Sequence, residues 1–128
     1  MQKKKVTSSV SVFELMQPVI GELPHEEFWV IYLNRKNEII KKENISKGGI
    51  TGTMVDVRLV LKTALEVGAT GIILAHNHPS DQMWPSRSDI ELTKQVMEAG
   101  RLFDIDVVDH LIVGASTFYS FADNGNLN

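Results

Sequence analysis

The chain has 128 residues, 43% of them apolar, enough for one domain that hides about two thirds of its unfolded surface. Thirteen basic residues stand against 16 acidic ones for a formal charge of −3, and the only block of like charge is Lys3-Lys4-Lys5, so charge lends no support to nucleic-acid binding. The absence of cysteine excludes disulfides, thiol nucleophiles and thiolate zinc sites, leaving nitrogen and oxygen as donors for any transition metal.

Residues 1–8 read as a frayed, solvated end. Val12, Leu15, Met16, Val19 and Ile20 then share one helical face. Ser11 with Glu14 three residues later makes a capping-box pattern, so a helix begins at Ser11 and ends near Gly21. Phe28–Leu33 is wholly apolar and reads as a buried strand, which the polar turn Asn34-Arg35-Lys36-Asn37 joins to a second strand over 38–45. A second helix is signalled by Val57, Val60, Leu61, Ala64 and Leu65, with Thr53 and Asp56 placed for a capping box and Gly68 for the exit. After Gly71, Ile72-Ile73-Leu74-Ala75 has the look of a central strand covered on both faces, and it delivers His76 and His78 at its end. A loop to Pro85 leads into a third helix over 86–99, closed by Gly100. Strands follow over 103–113 and 117–121, and the polar tail 123–128 is expected to fray.

The order helix, strand, strand, helix, strand, helix, strand, strand implies an α/β fold, α+β in the looser sense, with a mixed β-sheet flanked by helices. No repeat or linker-like stretch interrupts residues 1–128, which therefore read as a single domain. Apolar runs fall far short of the roughly 18 residues of a membrane helix. The first residues lack the apolar stretch of a secretory signal, which makes the cytoplasm the expected location.

Side chains two apart on a strand point the same way, so His76 and His78 can converge on one ion about 2 Å from each nitrogen, or can simply be hydrogen-bonded polar residues. Asp89, in the first turn of the third helix, could add an oxygen ligand and leave a fourth position open for water. Ser86-x-x-Asp89 is equally a capping box, and on its own that reading is favoured. Glu26 and Glu27 are candidate general bases, and alternation allows at most one of them to face the site. Ser86 could donate to an oxyanion, although a helix cap is the commoner use of such a hydroxyl, and both roles are hard for one hydroxyl to fill. His110 is expected to be a buried, hydrogen-bonded histidine without contact to the site, Trp29 to be core, and Trp84 to line a substrate groove; His25 is given no role.

His76-Asn77-His78-Pro79-Ser80, followed after His78 by seven residues and then Ser86-x-x-Asp89, resembles the His-x-His-x7-Ser-x2-Asp signature of the JAMM (MPN+) metalloproteases. Within that superfamily the text is similar to the RadC group. The shared stretches are Glu26-x-Phe28 leading into Tyr32-Leu33-Asn34, Ser86-Arg87, Asp89-Ile90-Glu91-Leu92-Thr93, Asp109-His110-Leu111 and Tyr119-Ser120-Phe121. The resemblance runs from about Val10 to Leu127. It implies a JAB/MPN fold of the cytidine-deaminase-like kind and one zinc ion held by His76, His78 and Asp89, with Glu26 as acid/base and Ser86 as oxyanion stabiliser. Asp81 stands where the family has glycine, and Met83-Trp84 where it has smaller polar residues, which bears on loop shape and substrate. Complete RadC proteins carry an N-terminal helical segment for which this chain has no room, so it is expected to be a short member or an excised domain.

The implied activity is hydrolysis of a peptide or isopeptide-linked protein, and the competing expectation, suggested by the RadC name, is a non-catalytic interaction module associated with DNA repair. Charge speaks against direct DNA contact. The sequence leaves a homo-oligomer open.

Overall fold

A computed structural model of the protein describes residues 4–46 and 55–127. Its elements are α1 (Ser9–Ile20), β1 (Phe28–Leu33), β2 (Ile39–Ser46), α2 (Val57–Val67), β3 (Gly71–Asn77), α3 (Arg87–Arg101), β4 (Asp106–Val113) and β5 (Phe118–Ser120). The strands form one mixed sheet in the order β2-β1-β3-β4-β5, with only the β3–β4 pair parallel. That pair is joined through α3, because parallel neighbours need a crossover.

Alternation along the strands divides the core into two layers. Val30, Tyr32, Ile72 and Leu74 pack against Val60, Ala64 and Val96 of α2 and α3. Ile31, Leu33, Ile73, Ala75, Leu111 and Val113 pack against Val12, Met16 and Ile20 of α1. Covered from both sides, β3 is buried at every residue, as its unbroken apolar run foretold. Each large side chain so buried contributes roughly 1.5–3 kcal/mol before conformational entropy is subtracted. Among the described residues no helix is long and apolar enough to cross a membrane.

Local readings shift in four places. Helix α1 is capped by Ser8, with Ser11 as its N3 partner, and so begins a turn earlier than the Ser11-Glu14 pattern suggested. The extra turn carries exposed Val10 and adds nothing to the apolar stripe that marked the helix. Asp56 caps α2 alone by accepting from the Arg58 amide, while Thr53 lies outside the described residues. Helix α3 continues to Arg101, and a turn with Asp104 at φ 55° separates it from β4, which starts at Asp106 rather than at Phe103. Leu102 and Phe103 are exposed, so their apolarity mimicked a strand without belonging to one.

Within the segments expected to fray, described residues at both ends make contacts with the fold. The Val6 amide donates to the Asn37 carbonyl at 2.8 Å and the Ile39 amide to Lys4 at 2.7 Å, pairing the first described residues with the β1–β2 turn region. At the other end the Asn126 amide bonds Phe121 O at 2.8 Å, and Leu127 packs on the cluster of Ile112, Tyr119 and Phe121.

A β-bulge matters for the site. Ile72 pairs with Val107 and Ile73 with Asp109, leaving Val108 unmatched and pointing outward. The extra residue reverses the alternation, so His110, opposite Leu74, comes to lie on the α2/α3 face with His76.

Candidate metal centre

The centre forms where β3 runs out against the first turn of α3, the end of a sheet at which open α/β folds tend to place ligands. His76 is the last residue of the Ile72, Leu74, His76 series on that face, and His78 follows just beyond the strand. Their Nε2 atoms lie 2.9 Å apart. The Nδ1 of His78 lies 2.6 Å from the Gln82 carbonyl, which can only accept, so Nδ1 carries a hydrogen.

Asp89 enters from α3. Its Oδ2 accepts from the Ser86 amide at 2.8 Å while its own amide donates to Ser86 Oγ at 3.0 Å, completing a capping box. The same carboxylate puts Oδ1 3.3 Å from His76 Nε2 and Oδ2 3.2 Å from His78 Nε2. Cap and convergence on the histidines, weighed as alternatives from sequence, are both present in one side chain.

Of the adjacent glutamates, Glu26 faces the histidines: Glu26, His76 and His78 each offer a ligand atom, all within 4.8 Å of one another. Glu26 has the parity of Phe28, which pairs with His76 across the sheet. Glu27 turns the other way, accepting from Trp29 Nε1 and bonding His25 Nε2, each at 3.0 Å. Burial raises its pKa, but those two bonds outweigh it and leave the carboxyl below its ordinary value. The choice is enforced by Asn77, between the two histidines. Asn77 Oδ1 accepts from the Glu27 amide at 2.8 Å and Nδ2 donates to the His25 carbonyl at 2.9 Å. One buried amide thus grips the backbone on both sides of Glu26.

Behind the centre lies His110, fully buried. Its Nε2 is 2.8 Å from His76 Nδ1 and its Nδ1 is 2.6 Å from Thr93 Oγ1, which donates to the Asp89 carbonyl at 2.8 Å. Phe121 stacks on the ring at 4.4 Å and 8°, and Phe28 meets it edge-on. Burial above all, then the neighbouring His76, holds His110 well below the usual imidazole pKa, so the ring is neutral. Burial works against ionising Asp89, yet its contacts with His76, His78 and the Ser86 amide hold its carboxyl well below the ordinary range. Burial likewise opposes charging His78, but its bonds to Asp89 and Gln82, with the fields of Asp89 and Glu26, raise its pKa above the ordinary value.

The profile of the RadC-like JAB domain matches residues 6–126. The chain belongs to that family. A UPF0758 protein of Flavobacterium johnsoniae is 57% identical over 122 residues, covering 95% of this chain and 53% of that protein. One from Porphyromonas gingivalis is 42% identical over 127 residues, covering 98% and 56%. The UPF0758 protein YfjY of Escherichia coli strain K12 is 42% identical over 121 residues, covering 94% and 76%. The chain spans about half the length of the first two relatives.

This RadC-like JAB domain therefore brings together His76, His78, Asp89 and Glu26, with Ser86 capping the helix that carries Asp89. The Ser86 hydroxyl uses a lone pair to accept from the Asp89 amide and lies 3.0 Å from Ser88 Oγ. Accepting does not consume its hydrogen, so the cap by itself leaves that hydrogen for Ser88 Oγ or another acceptor. His110 is buried as expected but touches His76 directly. Trp84 stays 70% exposed, leaning on Tyr119 at 5.8 Å, while Trp29 is half-buried against the α1 layer. Sequence reasoning passed over Asn77 and Thr93. For Thr93 a signal existed, four residues beyond Asp89 on the same helical face. For Asn77 alternation foretold only that it points away from the histidines, not what it grips.

Proposed function

We propose that this domain is a zinc-dependent hydrolase that cleaves an amide bond in a peptide or isopeptide-linked protein. The observation that carries the reading is the meeting of two Nε2 atoms and both oxygens of Asp89 within 3.3 Å. With Nδ1 of His78 already protonated, its neutral ring turns a lone pair toward a carboxylate and a second imidazole, a cluster of acceptors that needs a cation at its centre. Two imidazoles and a carboxylate suit zinc, and three protein donors leave a position for water or substrate. His76, His78 and Asp89 would hold the ion, which when bound supplies Lewis-acid polarisation of a carbonyl and acidification of water.

The carboxylates divide the remaining work by how firmly they are held. Asp89 is pinned by the Ser86 amide, which suits a ligand. Among the described residues the Glu26 carboxylate has no hydrogen-bond or ion-pair partner, which suits a group that must accept a proton and release it. Glu26 takes the proton of the attacking water and returns it to the departing amine. The Ser86 hydroxyl, which accepts in the cap, donates its hydrogen to the oxygen that gains negative charge.

Glu26→Gln is the decisive variant. It is expected to bind zinc like the parent protein while its hydrolysis of a panel of peptide and isopeptide-linked substrates drops by about 100-fold or more. A variant that cleaves as fast as the parent removes Glu26 from the mechanism. X-ray absorption on the zinc-loaded parent should give two imidazoles in the coordination shell, and a shell without them removes the histidines.

A further inference from the structure

The reading just given leaves unused the buried pair behind His76. We propose that Thr93 and His110 form a positioning relay that holds His76 in the tautomer with hydrogen on Nδ1, so that its Nε2 lone pair faces the cation site. This rests on the proposed metal function for its purpose, but the hydrogen assignment follows from the contacts and the complete burial of His110.

Thr93 has one hydroxyl hydrogen, and the Asp89 carbonyl, 2.8 Å away, can only accept. That hydrogen is therefore spent, and Oγ1 offers a lone pair to His110 Nδ1 at 2.6 Å. His110 must place its hydrogen on Nδ1 to complete this bond. A neutral ring then has a lone pair on Nε2, which faces His76 Nδ1 at 2.8 Å and demands a hydrogen there. His76 is left with a bare Nε2, directed at His78 and Asp89. The reverse order would set Thr93 Oγ1 against the Asp89 carbonyl without a hydrogen between them.

Burial closes the alternatives. His76 is 1% exposed, Thr93 1% and His110 0%, so bulk water cannot replace a missing partner. Stacking on Phe121 fixes the His110 ring plane, and the bulge at Val108 puts that ring on the required face of the sheet. The relay also begins and ends on α3 and β3, the elements that supply the ligands: Thr93 binds the main chain of Asp89, and His110 binds the ring of His76. An outer partner that fixes ring orientation and tautomer typically alters metal affinity 10- to 100-fold when lost.

The test has two readouts. Long-range nitrogen–proton NMR on the metal-free parent at roughly pH 8, above the free-imidazole value of about 6.5, is expected to find the hydrogen of both His76 and His110 on Nδ1. Zinc affinity, by competition with a chromophoric chelator, should fall roughly 10- to 100-fold in Thr93→Val and return in Thr93→Ser, which restores the hydroxyl. His110→Phe, which keeps a stacking ring but removes the acceptor, should weaken zinc similarly if Thr93→Val fails to fold. A hydrogen on Nε2 of His76 in the parent overturns the relay, as does a folded Thr93→Val that binds zinc as tightly as the parent. A parent that takes up no zinc overturns the proposed function instead, and the NMR result then decides the relay by itself.

Discussion

In the proposed centre a proton and a metal ion would compete for one atom, Nε2 of His78, because Nδ1 is committed to the Gln82 carbonyl at 2.6 Å. Without metal, bonds to Asp89 and Gln82 and the fields of Asp89 and Glu26 raise the pKa of His78 over the opposing effect of burial, so the proton is held to higher pH than on a free imidazole. The other titratable groups around it are His76 and His110, the latter kept neutral by burial. Asp89 has a depressed folded pKa, so its stabilising effect is present above the unfolded value of about 3.9 and fades as pH falls toward the folded one. His78 has a raised folded pKa, so its effect is complete below about 6.5 and is lost as pH climbs through the folded value. Metal-free protein should therefore melt highest between roughly pH 4 and 6.5 and lose stability toward pH 8. Zinc requires the neutral ring, so the increment it adds to the melting temperature should grow over that same upward interval. Melting scans in chelator and in zinc across this range check both slopes; a metal-free protein that gains stability from about pH 6 to 8 contradicts the Asp89–His78 pairing.

At the level of elements, the segment before β1 is held to the end of β3 by Asn77, which grips the His25 carbonyl and the Glu27 amide. Asn77→Ala removes both bonds and strands two backbone groups. It should cost about 2–3 kcal/mol in denaturant unfolding. It should also cut turnover more than zinc affinity, because Glu26 is released while His76 and His78 remain at the end of β3. Zinc affinity falling as far as turnover would mean that the clamp supports the strand end as a whole. The junction of α3 with β4 has a similar critical point at Gly100, where a Cβ would lie 2.4 Å from the Ile105 carbonyl oxygen. Gly100→Ala therefore forces the backbone apart and should lose about 1–3 kcal/mol of stability without altering the pH response of zinc binding. This junction also shows why element types were legible and some boundaries were not. Apolar stripes mark β1, β3, α2 and α3 wherever one face meets a core layer, and those elements match expectation closely. Leu102 and Phe103 are apolar yet exposed, and Ser8 to Val10 are helical without adding to the stripe, so hydrophobic pattern misplaces both edges. The meeting of His76, His78 and Asp89 was readable from spacing and resemblance. The bulge that turns His110 toward them depends on a pairing offset between strands, which one strand's sequence does not carry.

Across the whole molecule, the centre exists only when distant segments meet. Glu26 comes from the approach to β1, His76 and His78 from the end of β3, Asp89 and Thr93 from α3, and His110 from β4, with Phe121 of the final turn behind it. An unfolded chain cannot hold these donors together, so a metal that binds the folded protein adds its binding free energy to folding. At a free zinc concentration 100-fold above the dissociation constant the gain is about 2.7 kcal/mol, which for a domain of this size raises the melting temperature on the order of 10 °C. His78→Ala should abolish most of that increment. Leu102→Ala, a change at an exposed turn residue remote from the donors in sequence and fold, should leave it intact. The His78→Ala variant should also lose the ion-pair contribution of Asp89 in chelator, so its metal-free melting temperature should fall below that of the parent near pH 6 rather than match it. Calorimetry of the three proteins in zinc and in chelator separates these effects: equal zinc increments in the parent and His78→Ala would show that zinc stabilises the fold from somewhere other than the end of β3.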